Sequence, residues 1–120
     1  MDIGGGYMSD TNIEMVRGDT LAFALQVDFD EDAQNLDTAY FSCKSNYDDF
    51  NYVFQKSLND GIEIVSTDEN SVIYRVRVAP IDTKTIEPGE YFYDMQIGIN
   101  QDVYTVLRGV LKIENDVTNS

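Results

Sequence analysis

The chain has 120 residues, 42% of them apolar, with eight tyrosines and six phenylalanines, which is enough for one domain with its own hydrophobic core. Its 22 acidic residues against 8 basic ones give a formal charge of −14. This charge repels phosphate backbones and anionic lipids, so it argues against nucleic-acid binding and membrane-surface binding and favours solubility.

The first part of the chain is predicted to be a flexible leader followed by two strands. Residues 1–11, MDIGGGYMSDT, are rich in glycine and show no hydrophobic period, so they are assigned to the leader and residues 12–120 to a single domain. A short strand at residues 12–16 ends in a turn at residues 17–19. Residues 20–28 then alternate between apolar and polar positions, which is typical of a half-buried strand.

The middle of the chain is predicted to form four more strands, joined by polar turns. These strands span residues 38–44, 52–58, 62–66 and 71–79. The turn at residues 59–61, Asn-Asp-Gly, contains the residue types that tolerate positive φ. Cys43 falls on the inward side of its strand and is interpreted as a small buried hydrophobe. Pro80 ends the last of these strands, and residues 81–86 suit one helical turn.

The stretch at residues 88–116 reads as a long β-hairpin with a polar turn at residues 100–102. Period-two alternation over this length indicates two half-buried strands. The predicted inward positions are Tyr91, Tyr93, Met95, Ile97 and Ile99 in the first strand and Val103, Thr105, Leu107, Leu111 and Ile113 in the second.

Seven or eight short strands with turn signals about every ten residues predict an all-β protein, an immunoglobulin-like antiparallel β-sandwich. A tyrosine at the start of the penultimate strand, such as Tyr91, often bonds back to the preceding crossover in such sandwiches. The predicted core is Leu21, Phe23, Leu25, Phe41, Val76, Tyr91, Tyr93, Met95, Ile97, Leu107, Leu111 and Ile113.

The sequence points to a protein that is not an enzyme and has no cofactor. It lacks histidine, which removes the commonest general base, the commonest metal ligand and every Ser-His or Cys-His arrangement. Its single cysteine rules out an intrachain disulfide. Pairs of carboxylates do occur, but 22 acidic residues in 120 form such pairs by chance. No catalytic residue and no metal site is therefore assigned.

Asp28, Asp30 and Asp32 are the only candidates for calcium ligands, since they stand at alternate positions as the first ligands of a calcium loop do. The resemblance to an EF-hand is incomplete. Ala33 stands where the loop needs a glycine, and Ala39 stands where it needs a bidentate glutamate. A solvated acidic loop is the favoured interpretation, and a weak calcium site is the alternative.

Several aromatic and apolar side chains are predicted to point outward. Those in loops or on outward strand positions are Tyr40, Tyr47, Phe50, Tyr52 and Tyr104, and those proposed as an interface on the last hairpin are Phe92, Tyr104, Val106 and Val110. Such a face is either covered by the leader or the acidic loop, or it meets another subunit. We favour a subunit, which makes a homo-oligomer one expectation.

Three segments, IEMVRGDTLAFALQV, LDTAYFSCKSN and PGEYFYDMQIGINQDVYTVLRGVLKIENDVT, together resemble the immunoglobulin-like domain of phage baseplate upper proteins and related prophage structural proteins. The matching features are RGDT at residues 17–20, LDTAYF at 36–41 and PGEY at 88–91. The resemblance spans residues 13–117 and brings no catalytic or ligand-binding residues with it.

This resemblance implies a structural protein of the virion that docks onto a phage tail or baseplate and is assembled in the host cytoplasm. The implied partners are other phage structural proteins or further copies of the chain. Baseplate upper proteins continue into a longer region that links to the receptor-binding part. The chain is therefore expected to be either a free-standing virion protein or a piece of a longer one.

The alternative function is a carbohydrate- or protein-binding β-sandwich module of the bacterial host. The two functions predict different surfaces. Exposed aromatic side chains in one concave patch favour carbohydrate binding. A flat patch or a free strand edge favours assembly.

Overall fold

The computed structural model describes residues 9–29 and 36–117, which form nine strands and one short helix. The strands are β1 Ser9–Asp10, β2 Ile13–Val16, β3 Leu21–Asp28, β4 Leu36–Lys44, β5 Phe54–Leu58, β6 Gly61–Thr67, β7 Ser71–Val78, β8 Gly89–Ile99 and β9 Asp102–Glu114, and the helix α1 is Pro80–Thr83. The acidic loop predicted to follow β3 lies mostly outside the described residues.

The strands form one sheet in the order β1-β9-β8-β4-β5-β6-β7-β3, with β2 also paired to β9. Both β1 and β2 run parallel to β9, whereas β8 and β9, β4 and β8, and β3 and β7 pair in the antiparallel sense. The sheet is nearly closed and barrel-like. The prediction of an all-β, mainly antiparallel fold is confirmed.

The sheet passes from β5 to β6 through the tight turn that the sequence predicts. Only two residue pairs join these strands, Ser57 with Gly61 and Leu58 with Ile62. Asn59 and Gly61 have φ of 65° and 97°, and a Cβ on Gly61 would lie 2.4 Å from Lys56 Cε and 3.0 Å from the Arg77 carbonyl oxygen. The turn therefore depends on glycine for both its conformation and its close packing.

The core forms where the inward faces of the strands meet. Phe41 lies at its centre with no exposed surface, and its ring centroid is 5.7 Å from that of Phe23, 6.1 Å from Phe54 and 5.3 Å from Tyr93. Of the predicted core, Phe41, Val76, Tyr93, Met95, Ile97, Leu107, Leu111 and Ile113 are buried, and Leu21, Phe23, Leu25 and Tyr91 are partly buried against it. The predicted inward faces are thus confirmed for most of the sheet.

The last hairpin departs from prediction because β9 contains a β-bulge. Met95 pairs with Leu107, but the next residue of β8, Gln96, pairs with Thr105, so Val106 is an extra residue in β9. A one-residue shift exchanges the two faces of a strand. Val103, predicted inward, is 66% exposed, and Val106, predicted outward, is fully buried; both predictions were wrong.

The crossover between β7 and β8 has the predicted form. The helix α1 makes a single turn after Val78, and the Asp82 carboxylate accepts a hydrogen bond from the Ala79 backbone N–H at 2.7 Å. The Tyr91 hydroxyl donates to the Glu87 carbonyl oxygen at 2.5 Å, as predicted for a tyrosine at this position. The one helix in the described part of the chain, α1, is not long and apolar enough to cross a membrane.

The end of the predicted leader belongs to the sheet. Ser9 and Asp10 pair with β9 as β1, and the Thr11 backbone N–H donates to the Arg108 carbonyl oxygen at 2.8 Å. The Tyr93 hydroxyl donates to the Thr11 carbonyl oxygen. The predicted boundary after residue 11 therefore comes too late, and residues 1–8 lie outside the described residues.

Candidate functional site

A concave cleft with aromatic walls lies on the outer face of β4, β5 and β8. Because Ala39, Phe41 and Cys43 point into the core, the alternation of β4 places Tyr40, Ser42 and Lys44 on the opposite face. We call this surface the aromatic cleft; it encloses about 480 Å³ and is lined by Tyr40, Ser42, Lys44, Tyr47, Tyr52, Gln55, Phe92, Tyr93, Asp94 and Gln96. Strand register assembles it, since β4 pairs Tyr40 with Gln96, Ser42 with Asp94 and Lys44 with Phe92 of β8.

Aromatic rings form part of the lining of the aromatic cleft. The rings of Tyr47 and Phe92 stack with centroids 4.3 Å apart and an angle of 29° between their planes. The Lys44 ammonium lies 5.1 Å from the centre of the Tyr52 ring, within the range of a cation–π contact. Tyr47 and Tyr52 still expose 59% and 48% of their surfaces, so both rings remain open to a ligand.

The aromatic cleft is also lined by polar side chains. The Gln55 side-chain amide donates to Ser42 Oγ at 2.9 Å, and the Gln96 amide lies 3.5 Å from Thr105 Oγ1. Burial raises the pKa of the half-buried Asp94 carboxyl above its ordinary value, and the charges of Lys44 and Arg108 partly oppose this rise. The cleft therefore combines aromatic planes with both hydrogen-bond donors and acceptors.

The four residues proposed as an interface on the last hairpin do not form one apolar face. Val106 is buried within the fold, and Tyr104 is half-buried against the core. Val110 is half-buried, and its backbone N–H donates to Asn12 Oδ1 at 3.1 Å. Phe92 lies in the aromatic cleft under Tyr47. Sequence reasoning marked Tyr40, Tyr47 and Tyr52 as outward aromatics but could not group them with Phe92.

Cys43 has the environment of a buried hydrophobe. Its side chain has no exposed surface, and burial raises the pKa of its thiol to about 12. A thiol with so high a pKa forms little thiolate at neutral pH, and the thiolate is the nucleophile. The interpretation of Cys43 as a small core residue is confirmed.

The Arg17-Gly18-Asp19 tripeptide has a structural role. The Arg17 guanidinium lies 2.9 Å from Asp116 Oδ1, and the Arg17 side chain also donates to Asn115 Oδ1 at 3.2 Å. The Gly18 backbone N–H donates to the Oγ1 of the buried Thr83 at 2.9 Å. These bonds join the turn after β2 to the end of β9 and to the crossover helix.

The calcium candidates cannot be assembled into a site from the described residues. Asp28 ends β3, where its carboxylate accepts a hydrogen bond from the Gln26 side-chain amide at 3.0 Å, while Asp30 and Asp32 lie outside the described ranges. Within residues 9–29 and 36–117, no three His, Cys, Asp or Glu side chains are grouped so that they could hold a metal ion. The absence of a tight metal site stays a prediction.

We expect calcium at micromolar concentration to leave the melting temperature unchanged, because the loop lacks the glycine and the bidentate glutamate of a tight site. Thermal unfolding followed during a calcium titration measures this. A rise in melting temperature that Asp30→Asn abolishes would contradict the prediction and assign the metal to the acidic loop.

A second candidate surface is the open edge of β3, which we call the β3 edge. In the part of the chain that the structure describes, β3 pairs along its whole length with β7 and with no strand on its other side. Natural proteins protect such edges with charged side chains, above all lysine, with proline, with bulges or with short strands. β3 has eight residues, LAFALQVD, without lysine, proline or a bulge, and its one charged residue is Asp28 at the C-terminal end. Among the described residues, β6 is paired with β5 only at Gly61 and Ile62. Beyond these two pairs β6 contains a bulge between Ile64 and Ser66, which is one of the protective devices that β3 lacks.

The comparisons with known proteins bear on the fold. No protein-family model matches the chain, and no curated protein matches it. Part of a family 123 glycoside hydrolase from Clostridium perfringens is similar with a TM-score of 0.53 and 11% identity over 90% of this chain, which spans 23% of that one. This likeness concerns fold alone.

Two further solved structures are less similar to this chain. A chain of the ZIG-8–RIG-5 IG1–IG1 heterodimer is similar with a TM-score of 0.35 and 15% identity, and the match covers 88% of this chain and 82% of that one. The β subunits of voltage-gated sodium channels have a TM-score of 0.37 and 11% identity, covering 92% and 93%. Neither carries an argument about this chain.

Proposed function

We propose that the chain is a non-enzymatic structural module of a phage or prophage virion, which docks onto a neighbouring tail or baseplate protein. The docking part of this proposal rests on the β3 edge, because an open strand edge is a template for a strand from another chain. The virion part rests on the sequence resemblance to baseplate upper proteins, which spans residues 13–117.

We also propose that the fold is an immunoglobulin-like sandwich whose two sheets stay connected at the β5–β6 turn. The sheet order supports this, since β2, β9, β8, β4 and β5 lie on one side of that turn and β6, β7 and β3 on the other. The hydrogen bond from the Tyr91 hydroxyl to the Glu87 carbonyl oxygen has the form of a tyrosine corner.

The proposed occupant of the β3 edge is an extended segment of a different virion protein. A partner strand would gain backbone hydrogen bonds along Leu21–Asp28. Because of the charge of −14, copies of the chain repel one another. A basic partner would instead be attracted and oriented. We therefore expect the free protein to remain monomeric and the partner surface to carry lysine or arginine beside the added strand.

The test is incorporation into particles. We expect the chain to be found by mass spectrometry in purified phage particles or tails released by the host that carries the gene. Ala24→Lys, which adds a charge to the exposed side of β3, should reduce incorporation strongly. Thr85→Lys adds the same charge at an exposed position of the β7–β8 crossover and should be incorporated normally.

Two results would contradict the proposal separately. Absence of the chain from purified particles would remove the virion role. Equal incorporation of Ala24→Lys and Thr85→Lys would keep the virion role but remove the β3 edge as the docking surface. A melting curve for each variant shows whether the fold itself has changed.

A further inference from the structure

We propose that the aromatic cleft is a binding site for a neutral oligosaccharide. The cleft lies on β4, β5 and β8, whereas the proposed docking surface lies on β3. The two surfaces are therefore separate, and this proposal stands or falls independently of docking at the β3 edge.

The first argument is the combination of surfaces inside one cleft. A pyranose ring has apolar C–H faces and a rim of hydroxyl groups, so a site for it needs flat aromatic surfaces beside polar atoms. The aromatic cleft offers the Tyr47 and Phe92 rings, stacked 4.3 Å apart, at its rim. The side-chain amides of Gln55 and Gln96 line the same cleft.

The second argument is that the polar atoms are held in place before a ligand arrives. Gln55 is fixed by its bond to Ser42 Oγ at 2.9 Å, and each side-chain amide also has a second N–H and an oxygen that can bond hydroxyl groups. Asp94 adds a carboxylate acceptor and Lys44 an ammonium donor to the same lining. Hydroxyl groups both donate and accept, so they match this mixed set better than a purely apolar ligand would.

The third argument concerns charge and size. Lys44 is opposed within the cleft by Asp94, and the protein as a whole carries −14, so anionic ligands such as phosphates or acidic sugars are disfavoured. The volume of about 480 Å³ falls inside the range of about 300–1,000 Å³ found for small-molecule sites. Together these features select a short, uncharged sugar chain.

The test uses the whole protein and a defined set of probes. We expect saturation-transfer-difference NMR to detect at least one of four neutral oligosaccharides, the hexaoses of cellulose, xylan, mannan and chitin. Tyr47→Ala should weaken the affinity for that sugar by about tenfold or more, because it removes the exposed half of the ring stack. Phe50→Ala removes another aromatic ring of the same loop, 96% exposed and outside the cleft, and should bind as the unaltered chain does.

The contrary outcomes are distinct. No saturation transfer from any of the four sugars overturns the proposal, and so does equal loss of affinity in Tyr47→Ala and Phe50→Ala. If the neutral dye Nile red binds, Tyr47→Ala abolishes that binding and the four sugars do not bind, the sugar proposal is overturned and the cleft is assigned to apolar protein contacts. Ala24→Lys should leave sugar binding unchanged, so failure of the β3 edge proposal would be recognised separately.

Discussion

Replacing Phe41 with alanine should lower the free energy of unfolding by about 3–5 kcal/mol, the range for truncating a buried phenylalanine. Phe41 has no exposed surface and contacts the rings of Phe23, Phe54 and Tyr93. These rings come from β3, β5 and β8, so a cavity at Phe41 removes packing from three neighbouring strands at once. Equilibrium unfolding in urea, followed by far-ultraviolet circular dichroism, measures the loss.

The matched control is Phe50→Ala. Phe50 is 96% exposed, so its truncation should change the free energy of unfolding by less than about 0.5 kcal/mol. A loss below about 1 kcal/mol for Phe41→Ala would mean that the ring is not part of a packed core. A similar loss for both variants would contradict the burial of one and the exposure of the other.

Replacing Gly109 with alanine should destabilise the protein by about 2–3 kcal/mol through a steric clash. A Cβ at this position would lie 2.0 Å from the Thr11 carbonyl oxygen and 2.7 Å from the Thr11 carbonyl carbon. Both are backbone atoms, so they cannot move aside as the end of a long side chain could. The segment that joins β1 to β2 would have to shift away from β9, which would also disturb the bond from Tyr93 to Thr11.

Urea unfolding gives the magnitude, and limited proteolysis gives the location. We expect faster cleavage near residues 9–16 in Gly109→Ala than in the unaltered chain, because β1 and β2 should detach first. Gly18→Ala is the comparison, since its Cβ would meet nothing within 4 Å and only its φ of +81° is unfavourable; it should cost about 1 kcal/mol. Unchanged stability and cleavage in Gly109→Ala would show that β1 and β2 do not lie against β9 as described.

The local pattern of the sequence was informative where a strand alternates without interruption. Period-two alternation identified the buried face of β4 at Phe41 and Cys43 and that of β7 at Val76. The glycine and asparagine of the β5–β6 turn and the crossover before Tyr91 were also predictable, because turn chemistry and proline act over a few residues. In each case the physical cause is contained within a short stretch of chain.

Pairing between segments distant in sequence decided the strand register, which the hydrophobic pattern of a single strand could not predict. The bulge that buries Val106 depends on how β9 aligns with β8, and the parallel placement of β1 on β9 joins residues almost a hundred positions apart. Neither the bulge nor the parallel pairing changes the alternation of apolar and polar residues within one strand, so the sequence pattern does not show them. A register shift of one residue then exchanges the faces and overturns predictions about which side chains are exposed.

By itself, the sequence determined an all-β protein with a strongly acidic surface, no histidine chemistry and a buried cysteine, because these follow from composition and from alternation within each strand. Only the tertiary structure decided that β3 keeps an open edge in the described part of the chain, and that Tyr47 stacks on Phe92 beside Asp94. The reason is that an edge or a cleft is a relation between strands. It is set by sheet order and register, which are fixed when the whole core packs.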